Sequence, residues 1–211
     1  MKTKAELPLI TLVKRKEETS EPAKGGEERK EFPPFVAAYF ELNHLKQLYR
    51  QGWLRRGIPP ERCESVAEHV YGMAMLGGWI AEAHFPELDR DKILRMTLVH
   101  ELGEIYTGDL MPSDEVPLVE KHRLEREGLR QVVEKLPNGA SYLDLWEEFE
   151  AGQTPEARYV RQLDRLEMAF QAAVYETQGF GDLSEFFTTT DAVVVDPKLR
   201  EIYEGLKSIR G

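Results

Sequence analysis

Apolar side chains recur every three or four positions along most of the chain, a spacing that predicts amphipathic helices. Between residues 65 and 84, for example, Val66, Val70, Met73 and Ile80 follow this repeat. Glycine and proline separate the repeats and predict the connecting turns. Helices are therefore expected over residues 35–53, 65–84, 89–106, 117–136, 142–150, 154–178 and 197–209.

The remaining segments contain little sign of β-structure. Asp191–Val195 has the composition of a strand, although an extended connector would look the same. The predicted fold class is all-α, with one helical bundle over residues 34–211. Residues 14–30 are charged and lack aromatic side chains, so residues 1–33 are expected to form a flexible N-terminal arm. Within that arm, Leu9–Val13 is a candidate for a short strand or packing segment.

The composition restricts the classes of partner. Acidic residues outnumber basic ones by 38 to 28, and the net charge of -10 disfavours binding to nucleic-acid polymers or anionic membranes. A local basic pocket for one phosphate stays possible. Cys63 is the single cysteine, which excludes an intrachain disulfide and a cysteine-based zinc site. No apolar run approaches the roughly 18 residues of a membrane span, and the N-terminus is too mixed for a signal peptide. A cytoplasmic protein is expected.

The candidate chemistry is concentrated in the apolar stretch 93–110. This stretch carries His100, Glu101 and Glu104, with Asp109 near its end. Removing unpaired charge from water is costly, and a bound cation is the simplest compensation. Glu104 follows His100 by four residues, so both would lie on one face of a continuous helix. The stretch therefore indicates a metal site.

Two polar residues on other apolar helices complete a possible ligand set. Taken alone, His69 is better explained as a packed, hydrogen-bonded histidine, and Asp164 as half of an ion pair with a neighbouring arginine. Taken with His100-Glu101, they form a set of imidazole and carboxylate groups that suits a catalytic divalent ion. Four protein ligands leave room for water and substrate if the ion is six-coordinate.

These residues resemble the ligands of the HD-domain metal-dependent phosphohydrolases, in which the order H…HD…D is spread over separate helices. A narrower resemblance, to the 5'-deoxynucleotidase branch of that superfamily, rests on five motifs in order. The motifs are ESVAEHVYGMAM (64–75), LVHELGEIYTGDLMPSD (98–114), EKHRLE (120–125), LWEEFE (145–150) and EARYVRQLDRLEM (156–168). The resemblance implies a helical domain, one divalent ion (Mn, Co, Fe, Zn or Ni), a small nucleotide substrate and a homodimer.

One ligand position departs from the family pattern. Glu101 stands where the family carries the aspartate of its name, and its additional methylene requires a different approach to the ion. Either carboxylate can bind hard or borderline cations. The change leaves metal preference and affinity open, and an inactive site remains an alternative.

The resemblance also implies roles for residues around the metal. Glu104 would position or deprotonate the attacking water, the alternative being a salt bridge. Asp109 would lie near the substrate sugar or the leaving oxygen, the alternative being a turn cap. Both are predicted to be catalytic.

Four residues are predicted to bind substrate. Arg56 would meet the phosphate, because guanidinium offers planar paired donors, although the adjacent Arg55 leaves the alignment open by one residue. Lys121 and His122 could also approach the phosphate, and a solvated helix face is the alternative. Trp53 could stack on a base, but core packing is the favoured explanation.

The function expected from this reasoning is removal of the 5'-phosphate from deoxyribonucleoside monophosphates. Two alternatives stay open. One is an HD phosphohydrolase that acts on another nucleotide or small phosphate ester. The other is a weakly active module that binds a protein partner, for which Glu101 is the only support in the sequence.

Overall fold

The structure is a computed structural model that describes residues 32–210. The proposed arm, residues 1–33, lies outside the described residues except for its last two positions, and so does Leu9–Val13. The boundary between arm and bundle therefore stays a prediction.

Helices account for nearly all regular structure in residues 32–210, which confirms the all-α fold class. They are α1 (Pro34–Leu42), α2 (Gln51–Arg55), α3 (Val66–His84), α4 (Arg90–Val99), α5 (Glu104–Thr107), α6 (Leu118–Val133), α7 (Gly139–Ala151), α8 (Pro155–Thr177), α9 (Ser184–Val193) and α10 (Pro197–Ser208), with 3-10 turns at Asn43–Lys46 and Pro112–Asp114. No strand occurs in this range beyond one isolated bridge between Tyr49 and Ser65. None of the described helices is both long and apolar enough to cross a membrane.

Local capping determines where the two longest helices begin. Ser65 accepts a hydrogen bond from the backbone of Glu68, and the Glu68 side chain accepts one from the Ser65 backbone, so a complete capping box starts α3. Thr154 caps α8, whose first residue is Pro155. These are the starts that the sequence predicts.

Helix α8 is the centre of the bundle. It packs against α3, α4, α7, α9 and α10, and Leu163, Leu166 and Ala169 on it are fully buried. Gly77 allows α3 to approach closely, because a Cβ atom there would collide with the Leu163 side chain. The Tyr159 hydroxyl donates to the Gly77 carbonyl at 2.7 Å. Polar groups on the inner faces of α3 and α8 are thereby brought together.

The predicted helix over residues 89–106 is interrupted. Helix α4 ends at Val99, and α5 begins at Glu104 after a turn with i to i+3 hydrogen bonds. The turn packs on α6, since a Cβ atom at Gly103 would lie 2.5 Å from the Glu125 carbonyl oxygen. His100 and Glu104 therefore do not share one continuous helix, and that part of the prediction was wrong. The helix predicted over residues 35–53 is likewise divided into α1, a 3-10 turn and α2.

The suspected strand at Asp191–Val195 is also absent. Its first three residues end α9, and the buried Val194 that follows has an extended backbone. The sequence does not predict helix α9, because its β-branched threonines have low helix propensity. Packing on α8 stabilises it: the Thr190 hydroxyl makes 2.9 Å hydrogen bonds to the carbonyls of Phe186 and Arg165.

Candidate metal centre

Four predicted ligands meet in the interior. His69 comes from α3, His100 and Glu101 from the turn after α4, and Asp164 from α8, and each offers one ligand atom within 4.8 Å of the others. The His69 Nε2 atom lies 3.2 Å from Asp164 Oδ1 and 3.9 Å from Glu101 Oε1. The His100 Nε2 atom lies 3.5 Å from the same Glu101 oxygen. The longer side chain of Glu101 thus reaches the cluster.

The polar atoms of this cluster lack ordinary partners. Within residues 32–210, His69 Nε2, His100 Nε2 and Asp164 Oδ1 are buried and have no hydrogen-bond partner. Buried polar atoms nearly always form hydrogen bonds, so three neighbouring atoms without one indicate that a ligand binds here. Two imidazole nitrogens and two carboxylates are the donors that a divalent transition-metal ion accepts. The four residues therefore fit such an ion.

The two carboxylates of the cluster favour their charged forms, whereas His69 favours its protonated form. Burial raises the pKa of Glu101, but His100, Arg50 and His69 outweigh it and lower the value overall. For Asp164, burial is likewise outweighed, chiefly by the nearby imidazole of His69, and its pKa falls below the ordinary range. Burial and Arg50 lower the pKa of His69, whereas Glu167 and Asp164 raise it to about 10. Metal binding at neutral pH would thus displace a proton from His69.

His100 is held by its backbone surroundings. Its Nδ1 atom lies 2.7 Å from the Thr97 carbonyl, which fixes the ring so that Nε2 points to the cluster. The backbone carbonyl of His100 accepts a hydrogen bond from Trp146 Nε1 at 3.1 Å. Hydrogen bonds of the His100 side chain and of its backbone carbonyl therefore hold the turn that interrupts the predicted helix.

Glu104 begins α5 and is only 3% exposed. Its Oε2 atom has no hydrogen-bond partner among the described residues. Burial, followed by the charges of Glu101 and Asp109, raises the pKa of Glu104 well above its ordinary value. A buried carboxyl with a free oxygen beside a candidate ion is suited to accepting a proton.

Arg50, which sequence analysis did not select, lies among the acidic residues. Its Nη1 atom is 3.2 Å from Glu101 Oε1 and 3.5 Å from Asp109 Oδ1, and the side chain is largely buried. Burial lowers the pKa of Arg50, but the carboxylates around it, led by Asp109, keep the guanidinium charged. Asp109 also accepts a hydrogen bond from the Gln51 backbone, so it ties the start of α2 to the site. No local sequence signal marks Arg50, because its acidic partners lie 51 and 59 residues away.

The predicted phosphate ligand Arg56 is placed elsewhere. It follows α2 and forms a two-point ion pair with Glu185 on α9, where about half of its side chain is exposed. Arg55 pairs with Asp114 at 2.6 Å. The structure does not bring either arginine to the four-residue cluster, because Asp114 binds Arg55 and Glu185 binds Arg56.

The other predicted substrate residues differ in their placement. Trp53 is 1% exposed and donates to Glu64 Oε1 at 2.7 Å, so it packs in the core, which is the explanation that the sequence favours over a stacked base. Lys121 lies near the site: burial lowers its pKa, but Glu125, Glu101 and Glu104 raise it overall.

His122 packs on a neighbouring helix. Its ring lies 4.8 Å from that of Trp146, and its Nε2 atom is 3.6 Å from Glu147 on α7. The side chain is partly exposed, so its surroundings resemble those of a helix–helix contact.

These helices and their buried imidazole–carboxylate cluster define a class: an all-α domain built around a candidate site for a divalent ion. A family model described as "HD domain" matches residues 42–205, and the chain belongs to this family.

The chain is similar to named relatives over most of its length. It is 35% identical over 173 residues to human "5'-deoxynucleotidase HDDC2", a match that covers 80% of this chain and 82% of the relative. A solved structure from Pyrococcus furiosus, a "conserved hypothetical protein", has a TM-score of 0.71 at 31% identity, covering 82% of this chain and 99% of that one. A "predicted metal-dependent phosphohydrolase" from Magnetospirillum magnetotacticum has a TM-score of 0.66 at 25% identity, covering 83% and 90% of the two chains.

Proposed function

We propose that this protein is a divalent-metal-dependent 5'-deoxynucleotidase, which hydrolyses deoxyribonucleoside 5'-monophosphates to nucleoside and phosphate. The observation that carries the proposal is the convergence of unsatisfied ligand atoms from His69, His100 and Asp164, together with a buried, unpartnered Glu104 carboxyl close enough to Glu101 for their charges to interact. The similarity to relatives named 5'-deoxynucleotidase, from human to yeast, supports the substrate class.

In this proposal His69, His100, Glu101 and Asp164 hold the ion. When bound, it would polarise the phosphoryl group and lower the pKa of a water molecule. Glu104 accepts the proton of the attacking water, because its free Oε2 atom and raised pKa suit a general base. Burial of this carboxyl keeps bulk water from competing for that proton.

Arg50 takes the phosphate-binding role that the sequence suggested for Arg56. Its guanidinium has five N–H donors, and planar paired donors match phosphate oxygens. Glu101 and Asp109 hold the group in place in the free protein. Asp109, which joins Arg50 to the start of α2, is assigned the contact to the sugar or the leaving oxygen. Lys121 adds positive charge near Glu101 and Glu104.

A panel of nucleotides tests this proposal. We expect release of inorganic phosphate from deoxyribonucleoside 5'-monophosphates, loss of that activity with a chelator and recovery on adding back single divalent metals. Elemental analysis of the purified protein would identify the resident metal. Release of pyrophosphate from triphosphates, or activity confined to cyclic nucleotides, would instead support another phosphohydrolase.

We also propose that the protein is a homodimer. Tyr71, Met75 and Trp79 recur at every fourth position of α3, and Leu94 and Leu98 do so on the adjoining α4, yet all five side chains are exposed. Extended exposed apolar surface of this kind marks interaction sites.

The dimer can be tested by light scattering. We expect Trp79→Glu to halve the measured mass, because it places a charge in the proposed interface. Leu118→Glu, at an exposed apolar position on α6, serves as the control and is expected to remain dimeric. A monomeric parent protein would refute the proposal.

A further inference from the structure

We infer that Glu167 is a positioning residue, which holds His69 so that its Nε2 atom faces the metal, and that Gly72 supplies the space for the Glu167 carboxylate. The inference rests on the proposed metal site. It concerns residues outside the ligand set and explains why two unfavourable features, a buried acid and a glycine inside a helix, occur side by side.

Two carboxylates on α8 bracket the imidazole of His69. Asp164 and Glu167 are three residues apart, so they project from one face of the helix. Asp164 Oδ1 lies 3.2 Å from Nε2, and Glu167 Oε2 lies 2.6 Å from Nδ1. A proton on Nδ1 that is donated to Glu167 leaves the lone pair of Nε2 for a metal ion. Glu167 thereby selects the tautomer that the site requires.

The neighbouring acid, Glu64, is engaged differently. One oxygen each of Glu64 and Glu167 lies within 4.8 Å of the same His69 ring. However, Glu64 Oε1 accepts a 2.7 Å hydrogen bond from the indole of Trp53. Glu167 is therefore the carboxylate that binds the Nδ1 atom of His69.

Gly72 lies three residues after His69 on α3. A Cβ atom at this position would be 2.5 Å from Glu167 Oε1, too close for any real contact. Glycine is unfavourable inside a helix, but at this position any side chain would displace the Glu167 carboxylate. The space left by the missing side chain lets one carboxylate oxygen rest against α3 while the other binds His69.

A pair of alanine substitutions isolates this arrangement without altering either polar residue. Gly72→Ala should displace the Glu167 carboxylate, whereas Gly78→Ala on the same helix meets no atom within 4 Å. We expect Gly72→Ala and Glu167→Gln to weaken Zn²⁺ binding about 10- to 100-fold in chelator competition. We expect Gly78→Ala to bind as the parent does, and circular dichroism checks that all variants fold.

Nuclear magnetic resonance of the Zn²⁺-loaded protein provides a readout independent of activity. We expect His69 to carry its proton on Nδ1, with the downfield shift of a hydrogen bond to carboxylate, and Glu167→Gln to move that signal upfield. His100 is an internal control, because its Nδ1 atom is bonded to the Thr97 carbonyl and should not respond.

The possible failures can be told apart. Equal Zn²⁺ affinity in the parent, Gly72→Ala and Glu167→Gln would overturn the role of Glu167 while leaving the metal site intact. Coordination of His69 through Nδ1 in the parent would do the same. Absence of Zn²⁺ binding by the parent protein would instead overturn the proposed site itself.

Discussion

Glu104→Gln is expected to lower turnover by at least about 100-fold while metal and nucleotide still bind, because an amide cannot accept the proton of the attacking water. The substitution keeps the size of the side chain, so the packing around a residue that is 3% exposed should be preserved. Single-turnover phosphate release from dAMP would measure the chemical step, and calorimetric titration would measure nucleotide binding.

Glu125→Gln is the matched control for this experiment. Glu125 is also buried, and burial raises its pKa to about 7, but its Oε1 atom pairs with Lys121 at 3.4 Å. A similar loss in both variants would indicate a general effect of neutralising buried acids. Full activity of Glu104→Gln would remove Glu104 from the mechanism.

Arg50→Lys is expected to lower kcat/KM by about 100- to 1,000-fold, the range observed when one donor to a developing anionic charge is lost. Lysine keeps the positive charge but lacks the planar paired donors that bind two oxygens at once. Arg50 contacts Glu101 and Asp109 through the single nitrogen Nη1, which a lysine ammonium can replace, so the expected loss concerns the paired donors to phosphate. Steady-state kinetics on dAMP at saturating metal would measure the change.

Arg56→Lys distinguishes the two candidate arginines. Arg56 pairs with Glu185 on α9, so its replacement should leave kcat/KM close to that of the parent. If Arg56→Lys were the damaging change and Arg50→Lys the neutral one, the original sequence-based assignment would stand and the assignment from the structure would be wrong.

Most of the helices could be predicted because their signals are local. The repeat of apolar residues, the capping box at Ser65 and the Thr154-Pro155 start all act within a few positions of the chain. Helix α9 was missed because its stability comes from packing on α8 and overrides the low helix propensity of its threonines.

The interruption after Val99 has a similar origin. Residues 93–106 read as one helix because the apolar pattern continues through them. The chain turns at 100–103, where α6 packs closely against Gly103. This contact forms only in the folded bundle, so the local sequence does not predict the turn. His100 and Glu101 lie in this turn, so helical periodicity does not predict how their side chains reach the cluster.

The sequence by itself determined that this is a helical protein and which four side chains are candidates for a metal site, since helix periodicity and ligand chemistry can be read from residue types. Tertiary structure decided which side chains surround that site. Arg50 is at the site and Arg56 is not, Trp53 is core, and Glu167 faces His69, because each of these outcomes depends on contacts between residues far apart in the chain. Charges and hydrogen bonds act over a few ångströms in space, and the folded bundle alone sets those distances.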